Sequence, residues 1–224
     1  PDVVVREIDG VKHEPMEQLT VDCPEAYIGV VTQKLAPRKG RMLKMINHGS
    51  GRVRMEFRVP ARGLIGFRTE FLTDTRGSGV LNRIFHGWTP HRGPIQGRRQ
   101  GVLVSMENGT AVAYALWNLE ERGKMFVVPQ DPVYEGMIIG EHSRDNDLEI
   151  NVLKGKKLTN MRASGSDEAV TLVPPRRMSL EDMMAYVDTD ELLEVTPKSL
   201  RLRKRYLLEH ERKKFKRQSD ENAG

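Results

Sequence analysis

The thirteen residues Val152 to Ser164 (VLKGKKLTNMRAS) carry Lys154, Lys156, Lys157 and Arg162 and no acid. Positive charge at this density attracts polyanions, because binding releases their condensed counterions. Thr159, Asn160 and Ser164 add hydrogen-bonding groups suited to riboses and base edges. Gly155 and Gly165 give the backbone freedom to order on binding. The segment contains no aromatic residue on which a base could stack, so it would read backbone and shape more than sequence. The chemistry indicated is contact with a polyanion, not bond making. The plain alternative is a solvated basic loop.

Other cations are candidates of the same kind. His142 and Arg144 sit in an expected turn before this segment. Arg201, Arg203, Lys204 and Arg205 alternate with Leu200 and Leu202, so some of them would only cover a sheet. Arg212 to Arg217 reads equally as a phosphate-gripping tail or as a disordered end. Arg38, Lys39 and Arg41 follow a predicted helix and are placed either to touch the same polyanion, ribosomal RNA if the resemblance given below holds, or simply to line an exposed turn.

Enzymatic constellations are missing. Gly123-Lys124 and Gly155-Lys156 lack the glycine five residues earlier that a Walker A phosphate loop requires. There is no G-x-S-x-G elbow, H-E-x-x-H helix or EF-hand loop. Six scattered histidines form no metal-ligand spacing, and Asp145 with Asp147 is too small a set to imply a cation. The single cysteine, Cys23, excludes an internal disulfide and reads as a core residue. No catalytic residue, metal or cofactor is therefore expected within the chain. A small hydrolase is the weakest reading.

These candidates need elements to hold them. The 224 residues are 38% apolar and 30% charged, enough for one large or two ordinary cores. No apolar run approaches the ~20 residues of a membrane helix. Pro1-Asp2-Val3 shows neither an initiating methionine nor a signal peptide and reads as the start of a fragment. Charge is segregated: residues 1–95 are net +5, 96–197 are net −6, and 198–217 are net +8.

In the first half, Leu19, Val21 and Cys23 alternate with polar residues as a half-buried strand. Pro24 opens a helix carrying Tyr27, Ile28, Val31 and Leu35. Arg41 to Ile46 and Arg52 to Pro60 are strands, with His48-Gly49-Ser50-Gly51 as the turn between them. On the second of these, Arg52, Arg54 and Arg58 face away from Val53, Met55, Phe57 and Val59. Leu64, Phe67 and Phe71 mark a second helix, and Gly79 to Trp88 a last strand. The order β-α-β-β-α-β predicts an α+β class, ferredoxin-like split βαβ sandwich over 16–95, after a connecting segment 1–15.

Residues 96–218 are read as a β-rich domain with short helices and a basic loop at 152–166, and 219–224 as a tail. Asn108-Gly109 predicts a hairpin between Gly101–Met106 and Ala111–Ala115. Trp117 to Arg122 reads as a short helix closed by Gly123. Strands are expected at Lys124–Val128, Gly136–His142, Leu148–Val152, Ala169–Val173, Leu192–Val195 and Leu200–Leu202. Ser179 and Asp182 form a capping box opening a helix, and Tyr206 to Arg217 a basic helix.

Five stretches resemble known families. EPMEQLTVDCPEAYIGVVTQKLAPRKGRMLKM and VRMEFRVPARGLIGFRTEFLTDTRGSGVLNRIF resemble domain V of elongation factor G and its relatives. RQGVLVSMENGTAVAYAL, VYEGMIIGEHSRDNDLEINVLKGKKLTNMRASGSDEAV and LVPPRRMSLEDMMAYVDTDELLEVTPKSLRLRKRYL resemble the distinctive C-terminal domain of the BipA/TypA GTPases. The resemblance implies a ribosome-associated, cytoplasmic translational GTPase acting in stress or low-temperature growth and in large-subunit assembly. It implies that GTP and Mg²⁺ belong to a G domain preceding these parts, so the chain itself is a non-catalytic RNA-binding module. The implied partners are large-subunit ribosomal RNA and the acceptor end of A-site tRNA, the latter met by the loop Val152 to Ser166. Neither a membrane nor DNA is implied. A regulatory module that docks another protein through its exposed sheet and acidic middle is the alternative.

Overall fold

The computed structural model describes residues 3–47, 49–95, 97–155 and 171–222. The chain divides into two compact units, one formed by residues 1–97 with Met184–Tyr186, the other by Arg98–Met183 with Val187–Gly224.

The first unit is the ferredoxin-like sandwich. Strand β1 (Arg6–Ile8) turns back onto β2 (Val11–Pro24), and α1 (Ile28–Leu35) leads to β3 (Arg41–Asn47). Next come β4 (Arg52–Pro60), α2 (Phe67–Asp74) and β5 (Val80–Pro90). The four long strands lie in the order β3-β4-β2-β5, all antiparallel. The period of two in β4 is realised in full. Val53, Met55, Phe57 and Val59 are at most 1% exposed, while Arg54 is exposed and Arg52 and Arg58 are half-buried.

Val31 and Leu35 from α1 and Phe67 and Phe71 from α2 close the core against Leu19, Val21, Met55 and Phe57. Burying each such side chain contributes about 1.5–3 kcal/mol. The Thr-Arg-Gly-Ser-Gly stretch ends α2. Arg76 and Gly77 adopt left-handed backbone, at φ 51° and 74°. The buried Thr75 hydroxyl donates to Phe71 O at 2.8 Å and accepts from the Gly79 N–H at 3.3 Å.

Glu14 is fully buried in this unit. Its carboxylate accepts from the Arg62 guanidinium at 3.2 Å and from the Arg92 N–H at 2.8 Å, which fastens the chain leaving β5 back onto β2.

The second unit is β-rich. In chain order it has β6 (Val102–Ser105), β7 (Gly109–Thr110), α3 (Ala113–Leu119), β8 (Gly123–Met125), β9 (Pro132–Val133), β10 (Met137–His142) and β11 (Leu148–Ile150). Then follow α4 (Leu180–Tyr186), β12 (Glu191–Val195), β13 (Leu200–Lys204) and α5 (Glu209–Asn222). Its main sheet runs β11-β6-β10-β13-β12, with β8 also on β10. Leu103, Leu116, Ile139, Ile150 and Val152 centre its core. The expected capping box is present: Ser179 Oγ accepts from the Asp182 N–H, and the Asp182 carboxylate accepts from the Ser179 N–H.

Four expectations are corrected. Asn108-Gly109 does not join a hairpin. Strand β6 is already flanked by β10 and by parallel β11, so Gly109–Thr110 pairs with β9 instead. Ala111–Ala115 is not a strand: α3 begins at Ala113, burying Ala115 and Leu116 and packing Leu119, one turn on, against the core. Thr171–Val173 form no strand, and the rest of the strand expected at Ala169–Val173 lies outside the described residues. Finally, α5 runs to Asn222, into the stretch read as a tail. His48 of the expected turn is also outside the described residues.

Candidate nucleic-acid interface

The basic segment leaves the second unit from a firmly held root. β11 pairs in parallel with β6 as the edge strand of the sheet, and the chain leaves from that edge. Val152 is fully buried, and its carbonyl accepts from the Val112 N–H at 3.0 Å. Leu153 packs on the core, and Lys154 is exposed. On return, the Val173 N–H donates to the Glu120 carboxylate at 2.6 Å and the Arg176 N–H to Met125 O at 2.8 Å. Lys156, Lys157, Thr159, Asn160, Arg162 and Ser164 lie outside the described residues.

Several other candidates hold the fold together. Lys204 is 3% exposed, and its ammonium lies 2.6 Å from Asp147, 2.9 Å from Asp190 and 3.0 Å from Glu191. Arg98 completes this cluster, donating to Glu191 at 2.6 Å. Burial alone would lower the Lys204 pKa, but the three carboxylates outweigh it and hold it above the ordinary lysine value. Lys204 is therefore withdrawn as an RNA contact: a cation sealed among three carboxylates cannot reach a phosphate.

His142 is corrected for a similar reason. It is 3% exposed, and its Nδ1 lies against Asn146 O, so the ring shapes the turn from Ser143 to Asn146 from inside. Arg38 is half-buried and donates to Gly63 O at 2.8 Å, Ile65 O at 2.9 Å and Glu70 at 2.7 Å. That guanidinium ties the end of α1 to the turn before α2.

Arg201 and Arg203 converge on Glu194 at 3.7 and 2.9 Å, and the Tyr134 hydroxyl donates to the same carboxylate at 2.6 Å. Both arginines are half-buried and serve the β12–β13 pair. Lys39, Arg41, Arg144, Lys154 and Arg205 are exposed, with Arg205 also donating to Thr189 O at 3.2 Å.

Periodicity offered a face that the residue-by-residue reading passed over. In α5, Arg212 is held by Glu149 at 2.8 Å and Phe215 packs its ring on Tyr206 at 5.1 Å. His210, Lys213, Lys214 and Arg217 recur at i, i+3, i+4 and i+7, on the opposite side, and are exposed. Among the described residues, no group of three or more His, Cys, Asp or Glu could hold a metal ion. Among the same residues, no helix is long and apolar enough to cross a membrane.

Comparison with known proteins bears on both units. The profile described as the elongation factor G C-terminus matches residues 11–99. The profile described as the TypA/BipA C-terminal domain matches residues 100–209. The chain belongs to the TypA/BipA family. It is 52% identical over 215 residues to the large ribosomal subunit assembly factor BipA of Bacillus subtilis (strain 168), covering 96% of this chain and 35% of that protein. It is 53% identical over 218 residues to the protein of the same name from Escherichia coli (strain K12), covering 97% and 36%. With the Haemophilus influenzae protein of that name the identity is 50% over 218 residues, covering 97% and 35%. The TypA/BipA chain described here thus spans about a third of the length of the curated relatives it matches.

Proposed function

We propose that this chain is the ribosome- and tRNA-contacting portion of a BipA/TypA-type translational GTPase. It acts in the cytoplasm, in large-subunit assembly and in translation under stress or low temperature. Within it, the basic segment Val152 to Ser166 meets the acceptor end of A-site tRNA, and exposed cations elsewhere meet large-subunit ribosomal RNA. The chain is non-catalytic, and GTP with Mg²⁺ belongs to a G domain in the parent protein.

The observation that carries this reading is the rooting of that segment. A run with four Lys and Arg and no acid begins at the buried Val152, two residues past the end of β11, in a domain that relatives named as large-subunit assembly factors share. A rigid root with a cationic reach suits phosphate contacts, which position more than they specify.

The test is binding to purified large ribosomal subunits across a salt series, with bare tRNA as competitor and a Lys156→Ala, Lys157→Ala, Arg162→Ala triple variant alongside. Salt-sensitive binding that weakens in the variant supports the reading. Equal affinity of variant and parent chain would remove the segment from the interface.

A second reading, docking of another protein through the open sheet of the first unit, has one observation in its favour: Val80, Ile84 and Phe85 of β5 are 59–64% exposed. It predicts weak salt dependence and loss of binding on apolar substitution.

A further inference from the structure

Strand β10 pairs with β6 along one edge and with two strands, end to end, along the other: β8 at Gly140–His142 and β13 at Met137 and Ile138. Between the end of β8 and the start of β13 lies a cavity of about 210 Å³, lined only by residues of the second unit. Phe126, Met137, Ile138, Leu200 and Leu202 give it apolar walls, and Met183 of α4 adds to them. An apolar cavity of about 150 Å³ already takes a benzene ring, so this one has room for a single ring or a branched aliphatic group.

Two side chains of opposite charge, Arg201 and Asp131, line the same cavity. Neither is fully spent on the fold. Arg201 is the looser of the two arginines on Glu194, at 3.7 Å against 2.9 Å for Arg203, and that carboxylate also accepts from the Tyr134 hydroxyl. The buried Nε of Arg201 has no hydrogen-bond partner among the described residues. Turning this guanidinium toward a ligand therefore breaks no hydrogen bond at that nitrogen. Asp131 accepts from the Val128 N–H through Oδ2 at 2.9 Å and forms no ion pair among the described residues.

Apolar walls fix the body of a ligand, and a few polar groups fix its orientation. Here those groups are one cation and one anion. A carboxylate on an apolar body would set like charge beside Asp131, and an amine would do the same beside Arg201. A molecule that carries both charges next to an apolar group satisfies both walls. We propose that the cavity binds a free α-amino acid with an apolar side chain, its carboxylate on Arg201 and its ammonium on Asp131. Within a peptide those two charges are lost to amide bonds, so the ligand is the free amino acid. This goes beyond the RNA-binding reading and does not depend on it.

The test uses the whole chain with carbon-13 in its methionine methyl groups. Met137 and Met183 report on the cavity, and Met16 and Met55, buried in the first unit, are internal controls. The probes are L-leucine and L-phenylalanine, compared with 4-methylpentanoate and 3-methylbutylamine, which keep the leucine side chain and one charge each. Expected are saturable shifts of Met137 and Met183 alone, with a Kd on the order of 0.1–1 mM for ligands of this size. Each single-charge analogue should bind at least about tenfold more weakly, since it leaves one buried partner unpaired. Arg201→Gln and Asp131→Asn should each weaken L-leucine by a similar factor. Met183→Trp fills the cavity while both charges stay in place, and it should abolish binding.

No saturable shift with either amino acid in the millimolar range would overturn the proposal and leave the RNA reading standing. Binding of 4-methylpentanoate or 3-methylbutylamine as tightly as L-leucine would overturn it too, as would equal shifts at Met16 and Met55. Undiminished binding in Met183→Trp would place the ligand elsewhere and overturn the assignment of the cavity.

Discussion

The ammonium of Lys204 lies 2.6 Å from the carboxylate of Asp147, joining β13 to the turn between β10 and β11. The same carboxylate accepts from the Val102 N–H at 2.9 Å, so one ion pair registers β6, β13 and that turn at once. Lys204→Met should therefore destabilise the second unit by about 3 kcal/mol, because it takes one of its two cations from the buried Glu191 carboxylate. Urea unfolding measures this. A loss below about 1 kcal/mol would mean that water or Arg98 takes over the charge.

The cluster also sets a pH window. Burial alone would raise the Glu191 and Asp147 carboxyls, but Arg98 and Lys204 outweigh it and hold both below the ordinary carboxylate range. Their contribution is present above about pH 4 and is lost as the pH falls through the lowered values. Lys204 has the opposite sign. Its contribution is complete below about pH 10 and is lost as the pH rises through its raised value. Unfolding midpoints should thus be flat through neutral pH and fall at both ends. Glu191→Gln should be less stable at pH 7 yet lose less between pH 5 and pH 3. Parallel acid limbs for the two proteins would clear Glu191 of that role.

Gly79 is a packing glycine. A Cβ there would lie 2.7 Å from Phe71 Cε1 and 2.9 Å from Thr75 Oγ1. Gly79→Ala should cost about 1–3 kcal/mol through overpacking of the first unit's core. Gly77→Ala, where open space surrounds the site but φ is 74°, should cost less and through backbone strain alone. Thermal melts of the two variants, compared with the parent chain, separate the mechanisms.

Charge removal from the basic segment should be read in slope as well as affinity. Each lost phosphate contact lowers the magnitude of the log K against log salt slope by about 0.7–0.9. The triple variant should therefore flatten it by roughly two, with far-ultraviolet circular dichroism unchanged, since substitutions of charged residues away from a core are usually worth little in stability. An unchanged slope with reduced affinity would point to lost shape, not lost charge.

Much of the architecture was legible along the chain. The alternation of Arg52 to Pro60 could bury only one face, and Tyr27, Ile28, Val31 and Leu35 could align only on a helix. Ser179 with Asp182 announced α4 through local hydrogen bonds that need no distant partner. Asn108-Gly109 misled because a turn signal is local, while the pairing of β6 is settled by β10 and β11, which lie further along the chain.

Sequence by itself determined which side chains are cationic, where they cluster and which family they belong to. It could not say which of those cations are free. Lys204, His142 and Arg38 look on paper like Lys39, Arg144 and Arg205, yet the first three are spent on groups inside the fold. The reason is range. Periodicity records what neighbours three or four residues away require, whereas an ion pair depends on which distant carboxylate the topology brings within about 4 Å. Asp147 and Lys204 meet only because β10 lies between β6 and β13. The two ends of the basic stretch are fixed the same way, by Val112 meeting Val152 and Glu120 meeting Val173 across stretches of chain that no local pattern connects.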